Sequence, residues 1–321
     1  MITNFSVDSD HFLVKSVLSS SQIFWSDVFD PTQEERSQIE EENNIILPLH
    51  HEMHQIEFSN RYYEDNGALY LSLNVVTKAA PFPESHVVVF VLADKKLITL
   101  RYSDPNPIKN FTDQLDIHPH PVKNHYDIFL LLLRSIVGNV ADMFELIGVE
   151  TDMLAQEIVQ TINLKNGSQK GKDLNKSLRS INNLEHLLAK SHQSLSGLLM
   201  LVGYFQQIEN KQILEGLQGR LDNLKIDINA LLKNGEYLNQ KLGFQLQSTL
   251  GQINIEQTQI IKIFTVIAMV FMPPTLIASI YGMNFHNMPE LTLPFAYPIA
   301  LIVMLGSALL PYRFFKKKGW I

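Results

Sequence analysis

The sequence predicts an α/β head, a long α-helical stalk and a C-terminal two-helix transmembrane hairpin, in that order along 321 residues. Three observations predict it. Ile263 to Tyr281 and Leu293 to Tyr312 contain no charged residue. They are the two stretches apolar and long enough to cross a hydrocarbon core of ~30 Å, which takes about 20 helical residues and at least ~17. No proline lies between Pro121 and Pro273, and apolar residues recur there at three and four, the spacing of an amphipathic helix. Before Pro121 the apolar pattern contains period-two runs, the mark of strands. The expected divisions are residues 1–125 for the head, 126–260 for the helical stalk, 261–281 and 293–312 for the spans, 282–292 for the loop between them and 313–321 for a basic tail.

In the head, Asp30-Pro31 before Thr32-Gln33-Glu34-Glu35 predicts a helix start, with Asp30 as the cap, Pro31 at the first position and acids in the first turn. Ala68 to Thr77 alternates Leu69, Leu71, Leu73 and Val75 with Tyr70, Ser72 and Asn74, a strand with two distinct faces. His86 to Ala93 is a valine-rich run broken at Asp94-Lys95-Lys96, and Leu97 to Tyr102 resumes it, which predicts a hairpin. Pro105, Pro107, Pro119 and Pro121 predict a loop-rich end to the sheet.

From Tyr126, residues such as Phe129, Leu133, Ile136, Val140, Phe144, Ile147, Leu154, Ile158 and Ile162 form one apolar helical stripe. Asn166 to Gly171 is expected to be a flexible connection, followed by a second helix over about Asp173 to Val202. A third is expected from about Tyr204 into the first span, on the order of 100 Å long at 1.5 Å per residue. Its seam of Leu214, Leu217, Leu221, Leu224, Ile228, Leu231, Leu238 and Leu242 is coiled-coil-like, with one slot taken by Gly235. A helix of that length has to bury its seam against other helices of its own chain or a neighbouring subunit.

Charge is divided unevenly. Five of the 26 basic residues (Lys262, Arg313, Lys316, Lys317, Lys318) and one of the 33 acidic ones (Glu290) lie in the membrane end. The remaining 21 basic and 32 acidic residues give the rest of the chain a formal charge of −11. Such a surface repels phosphates, which excludes nucleic acid as a partner, and suits divalent cations. With no cysteine in the chain, disulfides, thiolate metal sites and cysteine nucleophiles are excluded. Met1 to Asp10 is polar and acidic, so no cleavable signal peptide is expected there. Lys and Arg flank the two spans on one side and are absent from the loop; the positive-inside rule then predicts both termini in the cytoplasm. Tyr312 and Trp320 fall where interfacial aromatic anchors are expected.

Few residues suggest catalysis. His50-His51-Glu52-Met53-His54 has the four-residue histidine spacing of a zinc protease, but Glu does not directly follow the first histidine as that motif requires. A surface cluster at a helix end is expected. His118-Pro119-His120-Pro121 is expected to be a loop. No phosphate-binding glycine loop and no nucleophile elbow is present, so the chain is not expected to be an enzyme. The acids Asp142, Glu145, Glu150, Asp152, Glu157, Asp222, Asp227 and Glu236 are expected on solvated helix faces. Some of them would need a bridging cation if they met across a subunit interface.

The first span carries a stripe of polar and small residues mixed with larger ones: Ile261, Thr265, Ala268, Met272, Thr275, Ser279 and Gly282. In a lone hairpin such a stripe serves close helix packing; in an assembly it can line a path. Pro273-Pro274 frees backbone carbonyls in mid-membrane. Tyr281-Gly282-Met283-Asn284 ends the span, and taken alone it is a helix cap with glycine in the left-handed conformation.

The flanking residues extend that reading. Tyr281-Gly282-Met283-Asn284-Phe285, then Met288-Pro289-Glu290-Leu291, a second span and the end Lys316-Lys317-Lys318-Gly319-Trp320-Ile321 resemble the CorA family of divalent-cation channels. Phe271-Met272-Pro273-Pro274-Thr275-Leu276 resembles the proteobacterial form. The resemblance is continuous from about Ile260 to the terminus and agrees in domain order before it. It implies a funnel-shaped homopentamer in the bacterial inner membrane that passes Mg²⁺, and often Co²⁺ or Ni²⁺, down the electrical gradient. It implies that Gly282, Met283 and Asn284 form the outer selectivity filter, next to the loop Met288, Pro289, Glu290 and Leu291. It further implies that Ile261, Phe264, Ala268, Met272 and Thr275 line the pore, with Ile261, Phe264 and Met272 as an apolar gate, and that cytoplasmic Mg²⁺ holds the channel closed. The regulatory metal ligands do not transfer, because the head offers no motif to align. The alternatives are a ZntB-like zinc transporter, which the Met-Pro-Glu-Leu loop counts against, and a membrane-anchored coiled-coil scaffold that conducts nothing.

Overall fold

The computed structural model of the chain describes residues 1–8, 11–16, 23–55, 61–77, 83–115, 120–162, 167–208, 211–286 and 288–320. Its architecture is that of the expected fold class: a mixed α/β head, long helices and two apolar C-terminal helices. Two compact units divide the chain. The first comprises Met1–Glu157 and Ser177–Leu246; the second comprises Ile158–Lys176 and Gln247–Ile321.

Among the described residues of the first unit seven strands form one sheet: β1 (Ile2–Val7), β2 (Leu13–Lys15), β3 (Ile23–Phe29), β4 (Tyr62–Asp65), β5 (Ala68–Thr77), β6 (Glu84–Leu92) and β7 (Leu97–Arg101). Their order is β2-β1-β3-β7-β6-β5-β4. All pairings are antiparallel except β3 with β7, where Trp25 faces Leu97 and Phe29 faces Arg101. Strand β5 has the predicted bounds, and its alternation serves two cores. Leu69, Leu71, Leu73 and Val75 join the larger core, built with the long helices, while Tyr70 joins a smaller one on the other face with Ile39, Leu47, Met53 and Val91. Polar Asn74 is partly covered and Ser72 is buried. The sheet is therefore covered on both sides, which suits the unbroken valines of β6.

Helix α1 (Gln33–Asn43) starts two residues later than expected. Its cap is Thr32, in a capping box with Glu35, whose carboxylate also accepts from the Met1 ammonium at 2.8 Å. Asp30 instead takes a left-handed turn conformation that leads into Pro31. A short α2 (His50–Gln55) follows. The proline-rich stretch contains a helix that the sequence reading assigned to loop: α3 (Asn106–Gln114), capped by Pro105, with Pro107 in its first turn. Prolines there cost nothing because those N–H groups have no partner in the helix. Pro107, Ile108 and Phe111 bury its inner face.

Helix α4 spans His125–Ile162, α5 Gly167–Ile208 and α6 Lys211–Tyr281. The expected connection at Gly167 to Gly171 is helical, the first turn of α5; Asn166 lies outside the described residues. Tyr204 belongs to α5, not to the third helix. Within the first unit, α4, α5 and the first half of α6 close the larger core through Phe129, Phe144, Phe205, Leu221, Ile228 and Leu242. Gly235 fills its seam slot because the Phe144 ring occupies the space a side chain would need: a Cβ there would lie 3.0 Å from that ring. Beneath the helices, Asp27 on β3 accepts from Arg101 at 2.8 Å and from Thr99 at 2.7 Å, and Trp25 donates to Thr99 at 3.1 Å. The buried ion pair thus joins the two parallel strands.

In the second unit α6 continues to Tyr281, a 3-10 turn covers Pro289–Thr292, and α7 runs from Ala296 to Lys317. Lys170 in the first turn of α5 pairs with Glu256 of α6 at 3.1 Å, both side chains largely covered.

Candidate functional site

Among the described residues two helices are long and apolar enough to cross a membrane, within Gly216–Tyr281 and Ala296–Lys317, and only 6 % of the residues in each most apolar window are buried. A core helix of a soluble domain would bury such a window. These stretches instead expose a large apolar surface within one chain, as a lipid-facing or subunit-facing helix does.

Along α6 that surface has two sides. Val266 is buried, and Val270, Pro273, Pro274 and Ile277 are half-covered. Ile261, Phe264, Ala268, Met272 and Thr275 are all exposed, with Phe264 67 % and Met272 65 % accessible. The five therefore share one open face that none of the described residues covers. Thr265 and Thr275 each donate a hydroxyl to the carbonyl four residues earlier, Ile261 at 2.8 Å and Phe271 at 2.7 Å. That satisfies the hydroxyl inside the helix. Pro273 and Pro274 sit within α6, and the helix continues through them.

Helix α6 ends at the Gly-Met-Asn turn. Gly282 N–H donates to Ala278 at 3.0 Å and Met283 N–H to Ile280 at 3.2 Å. Gly282 does not adopt the left-handed conformation expected of a glycine cap; among the described glycines, Gly67 and Gly319 do. A Cβ at 282 would lie 3.3 Å from the Ala278 carbonyl oxygen, so a side chain there would press on the last turn of α6. Met283 and Asn284 follow with exposed side chains. In the loop, Leu291 N–H donates to Met288 at 3.1 Å and Leu293 N–H to Glu290 at 3.3 Å, while the Thr292 hydroxyl donates to Pro289 at 2.7 Å. Pro289 thus opens a tight turn that leads into α7. Glu290 and Leu291 are exposed, Met288 is half-buried, and Glu290 has no ion pair among the described residues.

Chemistry elsewhere is sparse. No group of three or more histidines or acids that could hold a metal occurs among the described residues. His50 packs on the Tyr102 ring at 4.5 Å and His120 stacks on Phe111 at 5.7 Å; His118 and the His54 side chain lie outside the description. Of the stalk acids, Asp152 pairs with Lys241 at 2.8 Å and Asp222 accepts from Gln206 at 3.4 Å. Sequence reasoning missed the buried pair of Asp27 and Arg101 and the ion pair of Asp127 with Arg220; charged residues distant in sequence have no periodicity that links them.

A profile of the family described as "CorA-like Mg2+ transporter protein" matches residues 20–317. The chain is 30 % identical over 321 residues to the magnesium transport protein CorA of Escherichia coli K12, covering all of this chain and 96 % of that one. Among solved structures, it is similar to the CorA magnesium transporter of Methanocaldococcus jannaschii with a TM-score of 0.73 at 17 % identity, over 100 % and 99 % of the two chains. The ZntB cytoplasmic domain of Vibrio parahaemolyticus shares the fold at a TM-score of 0.55 and 11 % identity, over 78 % of this chain and 97 % of that one.

Proposed function

The chain belongs to the CorA family, a family of transporters rather than enzymes, and on that premise we propose that it is a Mg²⁺ channel of the bacterial inner membrane. The observation that carries the proposal is the Gly-Met-Asn turn at the end of a long helix whose apolar window has one wholly open face. In this reading residues 1–125 and 126–260 are cytoplasmic, 261–281 and 293–312 are the spans, 282–292 is external and 313–321 is a cytoplasmic tail. The open face of Ile261, Phe264, Ala268, Met272 and Thr275 meets its counterparts around the axis of a homopentamer.

The chemistry is consistent. Mg²⁺ gives up its water reluctantly. A ring of Asn284 carboxamides, set by Gly282 and Met283, hydrogen-bonds the hydrated ion without stripping it. Neither span carries an acid, so no carboxylate traps the ion inside, and weak binding lets it leave. Glu290 at the mouth raises the local cation concentration. Ile261, Phe264 and Met272 close the path by dewetting. A membrane potential supplies about 2.3 kcal/mol per charge per 100 mV, hence roughly 4.6 for a dication, and no nucleotide is needed. Co²⁺ and Ni²⁺, hydrated dications of similar size, follow the same route. The acidic cytoplasmic part, at −11, supports closure by cytoplasmic Mg²⁺ bound between subunits. Protection of the purified protein from protease at millimolar Mg²⁺ tests that point, and unchanged digestion counts against it.

Uptake into proteoliposomes, Mg²⁺ against Zn²⁺, tests the whole reading. Mg²⁺ entry abolished by Asn284→Ala is the expected result; entry indifferent to that change removes the filter assignment. Zn²⁺ entry alone would favour the ZntB-like reading, for which the shared head fold is the supporting observation. No entry of either would favour the scaffold.

A further inference from the structure

The second unit holds a groove of about 260 Å³ between α6 and the end of α7, lined by Ile263, Ile267, Val270, Phe271, Tyr312 and Trp320. Its walls are almost wholly apolar, yet one end is rimmed by charge. Lys262 places its ammonium 5.8 Å from the Trp320 ring centroid, and Arg313, Lys316, Lys317 and Lys318 surround the same end of α7 in sequence. None of these five cations meets a carboxylate among the described residues. The one acid in residues 262–321, Glu290, lies past the far end of the first span.

The local fold builds this rim. Gly319 takes φ +69°, which a side chain would disfavour. That turn brings the Trp320 N–H back to the Phe315 carbonyl at 3.1 Å and the two rings to 5.2 Å. Phe315 is buried beneath. Trp320 is thereby folded over the groove instead of trailing beyond α7; in the membrane reading above it and Lys262 fall where lipid headgroups, tryptophan and basic residues collect.

We infer that this groove is a binding site for an anionic phospholipid, one acyl chain lying along Ile263, Ile267 and Phe271 and the phosphate held by Lys262 and the basic end of α7. An uncharged lipid leaves the rim unmatched. By helical spacing Ile263, Ile267 and Val270 lie on the side of α6 opposite the face of Ile261, Phe264, Ala268, Met272 and Thr275 that meets its counterparts in the proposed pentamer, so the groove is left to lipid and charge complementarity favours an anionic one. The inference rests on the membrane reading above and not on ion conduction.

The protein contains two tryptophans. Trp25 is fully buried in the head, so quenching by bromine on lipid chains reports Trp320, and Trp320→Phe verifies that assignment. Full-length protein is reconstituted in phosphatidylcholine with a minor fraction of phosphatidylglycerol, the bromine being carried by one lipid or the other. Stronger quenching per brominated phosphatidylglycerol is expected. Lys262→Gln, an exposed substitution, should weaken the preference about five-fold, the usual effect of one basic residue at an anionic surface. Ile267→Phe, which fills the groove and leaves every cation, should abolish it. Equal quenching by both lipids overturns the inference and leaves the groove to a second copy or to bulk lipid. So does a preference that survives Ile267→Phe, which would describe a diffuse anionic annulus. If Ile267→Phe does not fold, Lys262→Gln decides alone. Mg²⁺ uptake measured in the same vesicles keeps failure of transport distinguishable from failure of lipid binding.

Discussion

Two glycines of the stalk seam should respond in opposite directions to the same substitution. Both Gly148 on α4 and Gly235 on α6 are helical, so replacement by alanine gains about 1 kcal/mol of helix propensity in each case. At Gly148 the new methyl would meet only Leu238 Cδ2, at 3.7 Å, an ordinary contact. At Gly235 it would meet Phe144 Cζ at 3.0 Å and Cε2 at 3.1 Å, with His192 at 3.6 Å behind. Phe144 is 1 % exposed and cannot swing away, so overpacking of about 1–3 kcal/mol applies. Gly148→Ala should therefore stabilise by up to about 1 kcal/mol and Gly235→Ala should destabilise by roughly 0–2. In thermal melts of the detergent-solubilised protein followed by near-UV circular dichroism, the two variants should separate by several degrees, at about 2–4 °C per kcal/mol. Phe144→Leu removes the two atoms in conflict and should rescue Gly235→Ala more than it affects the parent, a coupling read from a double-mutant cycle. If Gly235→Ala melts as high as Gly148→Ala, the assignment of that seam slot to the Phe144 ring is wrong.

Other outcomes follow from the head and the turn. Asp27→Asn takes from Arg101 its buried anion and leaves it only the more exposed Asp104 carboxylate, which should cost up to about 3–5 kcal/mol, seen as an earlier chemical-denaturation midpoint; a loss under 1 kcal/mol would refute it. His125 is 4 % exposed, with its Nε2 unpartnered among the described residues. Burial, only partly offset by Asp94, lowers its pKa from 6.5 to about 4. The unfolded chain then binds the proton first, so this contribution is complete above about pH 6.5 and is lost as pH falls toward 4, by about 3 kcal/mol in all. His125→Phe should flatten that part of the acid-denaturation slope, and an unchanged slope would exclude His125 as its source. Gly282→Ala should impair uptake with little change in melting temperature, because the added methyl presses on the Ala278 carbonyl at the turn and touches no core residue. Full uptake would show that the turn tolerates a side chain.

Periodicity made the helices and the β5 to β7 meander legible. Leu69, Leu71 and Leu73 announce a strand by alternation, and the absence of proline after Pro121 announces long helices. Boundaries set by single residues were less legible. Thr32 outcompetes Asp30 as the cap because its side chain reaches Glu35 N–H while Glu35 reaches back. The turn at Gly167 was expected to be loop, since serine and glycine favour loops. Helix α3 was hidden among prolines that in fact serve as its start. At the turn, the Gly-Met-Asn motif was readable letter by letter, but the reason for Gly282 was not: its φ is ordinary, and the constraint is a neighbouring carbonyl. The lipid groove was not legible at all, because it depends on Trp320 folding back toward Lys262.

The parallel pairing of β3 with β7 has a consequence for biogenesis. Trp25 must wait for Leu97, 72 residues later, so the centre of the sheet cannot close until β7 has been made. About 160 more residues then separate Arg101 from Ile261. At 5–20 residues per second their synthesis takes about 10–30 s, longer than mixed α/β domains usually need to fold. The strands can thus pair before the first apolar stretch leaves the ribosome, while the larger core waits for α6 to be made through Leu242, so the apolar hairpin trails a head whose sheet is already paired. A paired sheet cannot be threaded across a bilayer, so in the membrane reading proposed above the timing of synthesis itself would hold the head on the side where it was made.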